Sequence, residues 1–428
     1  MFKGYNNNQL INNVSKVVKQ NLCVSCGICK VVCPCGAIEM RYKNGQFLPL
    51  VNNTKCTNCG NCLLSCYSHN VEIQVFDNFD KQDIIFGKYK DVYTAYSLTN
   101  EIRLNSTSGG LITHLSIELL KNNVVDVVCV LPFKDYTGKE VKIELTNDID
   151  EIKNAAKSKY CPASVENIIE TIQNEPDKRL LVIGTPCQSY GVKYFIKKNK
   201  LNEKNYVFFG LMCDSTMNFN FLKYIKDIYL KKGEEVILFE YRTKEKYGWP
   251  GDLKVVLSSN KTMIIPSIKR AEVKNYFKLN RCNYCFDKVN IQSDITFGDC
   301  YIKGDESKEG KSSIIVRTEK GDEIVNRFSD RLFLEKTDKA QIYESQNLIA
   351  NKERLRLGLK YTGIYNTDRD CTQKCSYFKD RINITISQLL SRIGANYSGY
   401  LSFVILSKTI IFIAKIKKVY RLFNRKKT

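Results

Sequence analysis

The chain has 428 residues, with 66 Lys or Arg against 45 Asp or Glu, which gives a formal net charge of +21. This length allows two or three domains, and the N-terminus lacks the apolar stretch of a secretion signal. Eighteen cysteines without such a signal predict a reducing, cytoplasmic compartment and argue against a disulfide framework.

The positive charge raises the question of nucleic-acid binding. The sequence shows no zinc finger, no RNP-type aromatic motif and no helix-turn-helix pattern, so we predict no nucleic-acid partner. The charge is also uneven, because the stretch from Arg381 to the end has ten Lys or Arg and no Asp or Glu. Nearly half of the excess charge therefore lies in the tail.

Residues 1–20 are a polar lead, and residues 21–76 carry two cysteine runs of the same spacing. The runs are Cys23-x2-Cys26-x2-Cys29-x3-Cys33-Pro34 and Cys56-x2-Cys59-x2-Cys62-x3-Cys66. This spacing is typical of bacterial ferredoxin domains that hold two [4Fe-4S] clusters. Thiolates suit iron–sulfur or zinc, but zinc sites usually pair two short knuckles across a longer spacer. We therefore predict two [4Fe-4S] clusters and one-electron transfer.

Three thiolates at i, i+3 and i+6 can surround one cluster, while the fourth cysteine points to the other cluster. We expect this fourth cysteine to begin the helix that follows each run. The predicted ligand sets are Cys23, Cys26, Cys29 and Cys66 for one cluster, and Cys56, Cys59, Cys62 and Cys33 for the other. Two positions depart from the pattern. Cys66 is followed by Tyr67 instead of proline, and Cys35 is an extra thiol that we interpret as a small buried residue.

Strands alternate with helices from about residue 85 to residue 355. Strands are expected at 91–97, 124–131, 180–183, 206–211, 236–242 and 253–265, and helices at 110–120 and 165–172. Such alternation favours a mixed α/β domain. The predicted class of the whole chain is α+β, with an N-terminal bacterial ferredoxin-like 2[4Fe-4S] domain, a larger mixed α/β domain and a basic helical tail.

Two kinds of candidate site lie in the larger domain. Ser106-Thr107-Ser108-Gly109-Gly110 precedes a helix, where backbone N–H groups can hold a phosphate or a flavin pyrophosphate, although a plain glycine turn has the same sequence. Four cysteines also stand at strand ends or in one loop. These cysteines are Cys187, Cys213, Cys282 and Cys285. One interpretation is that all four hold a third cluster. The other is that two are buried thiols and the CxxC pair is a zinc knuckle or a redox pair.

Five ordered segments together resemble the family of coenzyme F-420 hydrogenase/dehydrogenase beta subunits. The segments are Ser108-Gly109-Gly110, Ser158-Lys159-Tyr160, Gly184-Thr185-Pro186-Cys187-Gln188, Arg242-Thr243-Lys244 followed by Gly248-Trp249, and Cys282-x2-Cys285 with Asp294-Ile295-Thr296-Phe297-Gly298-Asp299. They span roughly residues 85–305, with the ferredoxin unit in front. The sequence departs from the family at Cys300, where an aromatic residue is usual, and at Cys161, where an apolar residue is expected.

This resemblance implies a flavin-binding domain over residues 85–355 and FAD as a cofactor. It places Ser108, Gly109 and Gly110 at the flavin, with Lys159 and Thr185 nearby. It also implies that Cys187, Cys213, Cys282 and Cys285 ligate a third [4Fe-4S] cluster. Archaeal members pass electrons between a cluster, the flavin and the deazaflavin coenzyme, whereas the acceptor of a bacterial member stays open.

Residues 380–428 predict a basic amphipathic helical tail. Apolar stretches at 401–406 and 410–414 are broken by Lys408 and are too short to span a membrane. Basic residues recur at helical spacing beyond that point, opposite Ile, Phe and Leu. The sequence leaves two interpretations open: peripheral contact with an anionic membrane or an acidic partner, or a helix packed on the body with a solvated basic face.

Three hypotheses for function follow. The first is an iron–sulfur flavoprotein oxidoreductase that exchanges electrons with a redox partner protein or a small electron carrier. The second is a non-catalytic iron–sulfur electron-transfer subunit of a partner enzyme. The third is a structural or nucleic-acid-binding protein that uses its cysteines for zinc. The identity of the metal separates the third from the others, and the flavin content separates the first two.

Overall fold

The computed structural model describes residues 12–69, 71–72, 84–134, 136–138, 141–304, 307–362, 365–366 and 377–399, and 401–402, 404–406, 408–409, 412–413 and 415–416 in the tail. Part of the polar lead (1–11) and the end of the predicted basic tail (417–428) lie outside these residues.

The ferredoxin unit is built from two similar halves around a hairpin. Its helices are α1 (Ser15–Lys19), α2 (Ile28–Val31) and α3 (Asn61–Leu64), and its strands are β1 (Ile38–Lys43), β2 (Gln46–Val51) and β3 (Val71–Glu72). The two cysteine runs are offset by 33 residues, and so are the helices α2 and α3. Gly27 and Gly60 precede these helices with φ of 75° and 78°. A left-handed backbone at this position favours glycine, so the repeat extends from the cysteines to the backbone.

The expectation that the fourth cysteine of each run begins a helix is wrong. Each short helix instead contains the third cysteine, Cys29 or Cys62, and ends before the fourth. Pro34 disfavours a helical conformation at Cys33, the residue before it, whereas Cys66 has no proline after it and its helix nevertheless ends at Leu64. The fourth cysteine therefore lies in the irregular chain just beyond the helix.

The larger domain is organised around a mixed sheet of eight strands in the order β14-β4-β13-β12-β8-β7-β5-β6. Its strands are β4 (Asp91–Ser97), β5 (Val127–Val130), β6 (Glu144–Thr146), β7 (Leu180–Gly184), β8 (Tyr206–Leu211), β12 (Ile295–Asp299), β13 (Ser312–Val316) and β14 (Leu332–Lys336). The central strands β5, β7, β8 and β12 are parallel, and the outer pairs are antiparallel. The carboxyl ends of the four parallel strands therefore meet at one edge, where α/β sheets bind ligands.

Helices connect the strands of this sheet and cover its faces. They are α4 (Asn100–Leu104), α5 (Leu111–Lys121), α6 (Ile149–Asn154), α7 (Glu166–Asn174), α8 (Pro186–Lys198), α9 (Asn220–Tyr229), α10 (Ser267–Phe277), α11 (Glu319–Arg327), α12 (Lys339–Ser345), α13 (Ile349–Tyr361) and α14 (Tyr377–Ala395). Short 3-10 turns occur at Glu203–Asn205, Asn280–Tyr284 and Ser329–Arg331. This mixture of helix and sheet confirms the α+β class.

A second sheet of three antiparallel strands packs beside the first. It consists of β9 (Val236–Thr243), β10 (Asp252–Leu257) and β11 (Thr262–Ile265) in the order β11-β10-β9. The single strand expected over 253–265 is therefore two strands joined by a turn at Asn260, whose φ is 61°. A last short strand, β15 (Tyr365–Asn366), pairs in parallel with β3 of the ferredoxin unit.

The ferredoxin unit shares its core with the larger domain. Cys29, Cys62 and Tyr67 pack in one buried cluster with Phe86 and Tyr284. Next to α2, the backbone N–H of Val165 also donates to the Cys26 carbonyl over 2.9 Å. The two units therefore form one packed body in which the cysteine runs face the larger domain.

The first part of the tail packs on the body. The Ser391 hydroxyl donates to the Lys278 carbonyl, and the Asn220 amide donates to the Gly394 and Ala395 carbonyls at the end of α14. Further along, Leu406 is buried whereas Phe412 is 62% exposed. Over its described residues the tail therefore agrees with the second alternative, a helix packed on the body. It also exposes apolar side chains to solvent, as at Phe412. None of the helices in the described residues is long and apolar enough to cross a membrane.

We expect Gly394→Ala to loosen the tail, because a Cβ atom at this position would overlap the backbone carbonyl of Tyr276 on α10. Overpacking of this kind costs about 1–3 kcal/mol, so the thermal unfolding temperature should fall. Gly191→Ala is the matched control, since its Cβ would meet only the end of the flexible Ile28 side chain, at 3.0 Å. Equal unfolding temperatures for the two variants by circular dichroism would contradict this packing.

Candidate functional site

The structure brings the first predicted ligand set together. Burial raises the pKa of Cys29 well above its ordinary value, and the neighbouring Cys26, Cys23 and Cys66 raise it further. Four thiols that interact electrostatically in this way lie in one buried neighbourhood. The backbone N–H of Ser25 also donates to the Cys23 sulfur over 3.4 Å, the kind of contact that tunes a cluster ligand.

The second predicted set lies beside the first. Cys62 is buried, and Cys33, Cys56 and Cys59 are the thiols that raise its pKa after burial. The backbone N–H of Ala37 donates to the Cys33 sulfur at 3.3 Å. The exchange of fourth cysteines between the two runs thus agrees with the proximity of the thiols, although ligation itself stays a prediction.

The extra thiol, Cys35, is not the buried residue that was expected. Its side chain is half-exposed, and its sulfur lies 3.7 Å from the sulfur of Cys33. The turn after Pro34 carries Cys35 outward, because Gly36 there has a φ of 58° and open space around it.

The four cysteines of the larger domain also converge. Burial raises the pKa of Cys187 to about 12, with further contributions from Cys26, Cys285 and Cys282. Burial likewise raises the pKa of Cys213 well above its ordinary value, and Cys282, Cys187 and Cys285 add to this shift. Cys187 stands in the first turn of α8, Cys213 follows β8, and the remaining pair lies in and just after the Asn280–Tyr284 turn. This third set therefore lies next to the first set, at Cys26.

Tyr67 and Arg281 bridge the first and third sets. The Tyr67 hydroxyl lies 3.4 Å from the Cys285 sulfur, and Tyr67 directly follows Cys66. The Arg281 side chain is buried, with its guanidinium carbon 4.7 Å from the centre of the Tyr67 ring. Its positive charge acts against the burial-driven rise in the pKa of both Cys66 and Cys285. The position where Tyr67 replaces proline is therefore a contact between the two cysteine sets.

The donor sets fit iron–sulfur clusters chemically. Soft thiols grouped in fours suit such clusters. Burial raises the pKa of several of them, including Cys29, Cys187 and Cys213, so a bound cation is needed to hold these as thiolates. Among the described residues, no three His, Cys, Asp or Glu side chains are arranged to hold a single metal ion. In a [4Fe-4S] cluster each thiolate binds a different iron, so its ligands stand farther apart than those of one ion.

A cavity of about 600 Å³ opens beside the third cysteine set. This volume lies in the usual range for ligand pockets. Its wall includes all four cysteines of that set, Cys26 and Tyr67 of the ferredoxin unit, and residues after the parallel strands β7 and β8. The cavity thus sits at the carboxyl edge of the sheet, where the topology predicts a ligand.

Four of the five predicted flavin residues line this cavity: Ser108, Gly110, Lys159 and Thr185. The fifth, Gly109, stands directly behind it, and its N–H donates to the Ser312 hydroxyl over 3.1 Å. A Cβ atom on Gly109 would overlap the Ala95 carbonyl of β4, which accounts for glycine there. Residues of the first turn of α5 also line the cavity, so this helix N-terminus can receive an anionic group.

Buried polar groups in the cavity wall include one that the sequence did not indicate, Ser215. The hydroxyls of Ser106 and Ser215 are buried in its wall and have no hydrogen-bond partner among the described residues. The Lys159 ammonium donates to the carbonyls of Ala155 and Ala156, and burial lowers the pKa of Lys159 to about 7. Buried hydroxyls and a buried amine suit a polar, anionic ligand such as a flavin nucleotide.

A buried ion pair joins two of the segments that carry the family resemblance. Arg242 makes two hydrogen bonds to the Asp299 carboxylate, at 2.6 and 3.0 Å, and the Trp249 indole donates to the same carboxylate over 2.8 Å. The Lys244 ammonium donates to the Ser108 carbonyl over 3.1 Å. These segments therefore hold the glycine turn and the end of β12 together at the cavity.

The two unusual cysteines of the sequence behave as buried side chains. Cys161 and Cys300 are 6% and 2% exposed. Burial raises the pKa of Cys161 to about 12, against a contribution from Lys159 that lowers it. Cys161 lies in the cavity wall, whereas the backbone N–H of Cys300 donates to the Lys311 carbonyl.

Comparison with protein-family models finds three matches. Residues 22–70 match a 4Fe-4S dicluster domain. Residues 92–170 match the N-terminal part, and residues 177–341 the C-terminal part, of the coenzyme F420 hydrogenase/dehydrogenase beta subunit. These last two matches together cover more than half of the chain, and the resemblance found in the sequence is confirmed.

Individual proteins are similar to this chain at sequence identities between 20% and 25%. The chain is 21% identical to a subunit of the F(420)H(2) dehydrogenase of Methanosarcina mazei over 334 residues, 74% of this chain and 86% of that protein. It is 25% identical to the coenzyme F420-dependent sulfite reductase of Methanocaldococcus jannaschii over 83% of this chain and 54% of that protein, so it spans about half of that enzyme. A component of the F420-reducing [NiFe] hydrogenase complex from Methanosarcina barkeri matches with a TM-score of 0.49 and 20% identity, over 64% of this chain and 91% of that component.

We expect Tyr67→Phe to lower the reduction potential of the predicted third cluster. The change removes the hydroxyl beside Cys285, and hydrogen bonds to ligand sulfurs raise cluster potentials by stabilising the reduced state, on the order of tens of millivolts. Tyr190→Phe is the matched control, because Tyr190 packs against the Tyr67 ring at 5.3 Å. Potentiometric titration followed by electron paramagnetic resonance measures the shift. A Tyr67→Phe protein with wild-type potentials would show that the hydroxyl does not act on a cluster.

Proposed function

The chain belongs to the family of coenzyme F420 hydrogenase/dehydrogenase beta subunits, and we propose that it acts as an iron–sulfur flavoprotein oxidoreductase. Its ferredoxin-type domain makes it an electron-transfer protein of that family. One observation carries the finer proposal: the third cysteine set and four of the five candidate flavin residues line the same cavity. A flavin there would lie beside a cluster.

The three cysteine sets suggest the order of electron transfer. The second set meets the first through Cys62 and Cys29, and the first meets the third through Cys26 and Cys187. The third set lines the cavity. We propose that electrons pass along this series between the surface of the ferredoxin unit and the cavity, in a direction set by the partners.

The residues of the cavity have distinct tasks in this proposal. The N-terminus of α5 and the Ser108–Gly110 turn bind the phosphate groups of the cofactor, while Lys159 supplies a nearby cation. The Arg242–Asp299 pair and Lys244 keep the turn in position. A bound flavin would supply the exchange between one-electron and two-electron chemistry.

The second reactant is proposed to be a small redox carrier or substrate. The relatives carry coenzyme F420 in their names, so a deazaflavin is the first carrier to test. Arg270 and Lys274 also line the cavity, and Arg270 packs over the Tyr160 ring at 4.6 Å. A cationic and aromatic wall of this kind favours a flat, anionic reactant.

We expect protein purified without oxygen to contain about twelve irons and one flavin, the content of three [4Fe-4S] clusters and one cofactor. The measurement is iron, acid-labile sulfide and flavin per chain. About eight irons without flavin would instead favour an electron-transfer subunit without catalytic activity of its own, and zinc in place of iron would exclude both functions.

The third ligand set has its own test. Cys282→Ser should lose about four irons per chain, because one missing thiolate destabilises a cluster. Cys161→Ser is the matched control, since Cys161 lines the same cavity but is not a predicted ligand. Equal iron contents in the two variants would remove Cys282 from the ligand set.

Lys159→Met is expected to weaken flavin binding at least tenfold, because an ion pair to phosphate in a buried site contributes more than about 1.4 kcal/mol. The pKa of Lys159 is about 7 without ligand. Flavin affinity of the wild-type protein should therefore decline as the pH rises above about 7, where the amine loses its charge. The variant should lack this decline.

Fluorescence titration of deflavinated protein measures both effects. Lys193→Met is the control, because Lys193 lies over the Phe208 ring at 4.7 Å, outside the cavity wall. If Lys159→Met binds flavin like the control at every pH, Lys159 does not contact the cofactor.

A further inference from the structure

We propose that an acidic one-electron carrier protein docks on a basic surface around Cys59, at the outer end of the series of cysteine sets. We define the basic surface as Lys16, Lys19, Lys55 and Lys198 together with Cys59. The inference rests on the proposed electron-transfer function and adds the partner to it.

The second cysteine set is the one that reaches the surface. Cys59 is exposed, whereas Cys29 and Cys66 of the first set are buried. The side chains beside Cys59 are small, since Thr57 and Asn58 precede it and both are exposed. A partner can therefore bring its own redox centre close to this end of the series.

The ferredoxin unit is basic by sequence. From residue 12 to residue 72 it has six Lys or Arg and two acidic residues, Glu39 and, at the end of β3, Glu72. The Glu39 carboxylate pairs with Arg41 at 3.0 Å, and Lys30 pairs with Glu166 of the larger domain. No carboxylate between residues 12 and 69 is thus left to neutralise the lysines near Cys59.

Position in the chain and two hydrogen bonds place the four lysines beside the second set. Lys55 precedes Cys56 directly. Lys16 and Lys19 lie on α1, and Asn13 just before this helix donates to the Cys56 sulfur over 3.6 Å. The Lys198 ammonium, on α8, donates to the Asn61 side chain over 2.9 Å. None of the four forms an ion pair with a carboxylate in the part of the chain that the structure describes.

Charge complementarity identifies the partner. Positive side chains around a redox centre speed encounter with a negatively charged partner and orient it, and transient electron-transfer interfaces are small. A small acidic protein with its own exposed redox centre satisfies both conditions. A nucleic acid is also negatively charged, but it does not exchange electrons with a cluster at Cys59. Binding of nucleic acid to the basic surface is therefore the alternative that the experiment tests.

The experiment is stopped-flow electron transfer between the full-length holoprotein and a plant-type [2Fe-2S] ferredoxin, an acidic carrier, at increasing salt. The wild-type rate constant should fall as salt rises. Lys16→Glu/Lys19→Glu/Lys55→Glu/Lys198→Glu should lower it about 10- to 100-fold at low salt. A triple variant that retains Lys55 avoids disturbing Cys56 and should lower it less.

The matched control reverses four exposed lysines elsewhere, near the three-stranded sheet: Lys226, Lys231, Lys232 and Lys261. At an ionic strength of about 0.1 M its rate should stay within about threefold of the wild type, because charges beyond a Debye length of about 10 Å are then screened. The extent of cluster reduction by dithionite should be equal in all the variants, which verifies that their clusters are intact.

Three results would overturn the inference. The first is a wild-type rate that does not depend on salt, and the second is a control variant that slows transfer as much as the quadruple variant. The third is a quadruple variant that loses affinity for a DNA duplex while its electron-transfer rate is unchanged, which would assign the surface to nucleic acid. A protein without iron would instead contradict the proposed function, so the two failures are distinguishable.

Discussion

The packing of the ferredoxin unit against the larger domain is the constraint on which the other features depend. Buried thiols of the unit lie in one apolar cluster with Phe86, Tyr284 and Ile342 of the larger domain. Because this core is shared, the unit cannot shift without exposing apolar surface. The three cysteine sets therefore keep fixed positions relative to each other and to the cavity, as one-electron transfer between them would require.

The electrostatics of the site follow from that burial. Thiols enclosed in an apolar interior keep their protons unless a cation replaces them. Arg281 contributes one fixed positive charge between the first and third sets, where it acts on both Cys66 and Cys285. A buried guanidinium stabilises the more negative state of each neighbour. It would thereby favour reduction of both proposed clusters.

The sheet determines where the cavity lies. Cys187, Cys213 and Asp299 come from distant parts of the sequence, yet each stands at or just beyond the carboxyl end of a parallel strand. Parallel strands bring such ends to one edge. The Asp299 carboxylate then anchors Arg242 and Trp249, so that the same edge carries the cysteine set, the glycine turn and its supporting ion pair.

The sequence alone was sufficient to predict the ferredoxin unit and the strands at 91–97 and 206–211, because cysteine spacing and apolar runs are local signals. It also identified the segments of the family. It did not predict that Tyr67 contacts Cys285, that Arg281 lies between two cysteine sets, or that Cys26 borders the cavity. These depend on contacts between residues more than a hundred positions apart. Only the folded chain decides them, because a shared core and a parallel sheet bring such residues together whatever their separation in sequence.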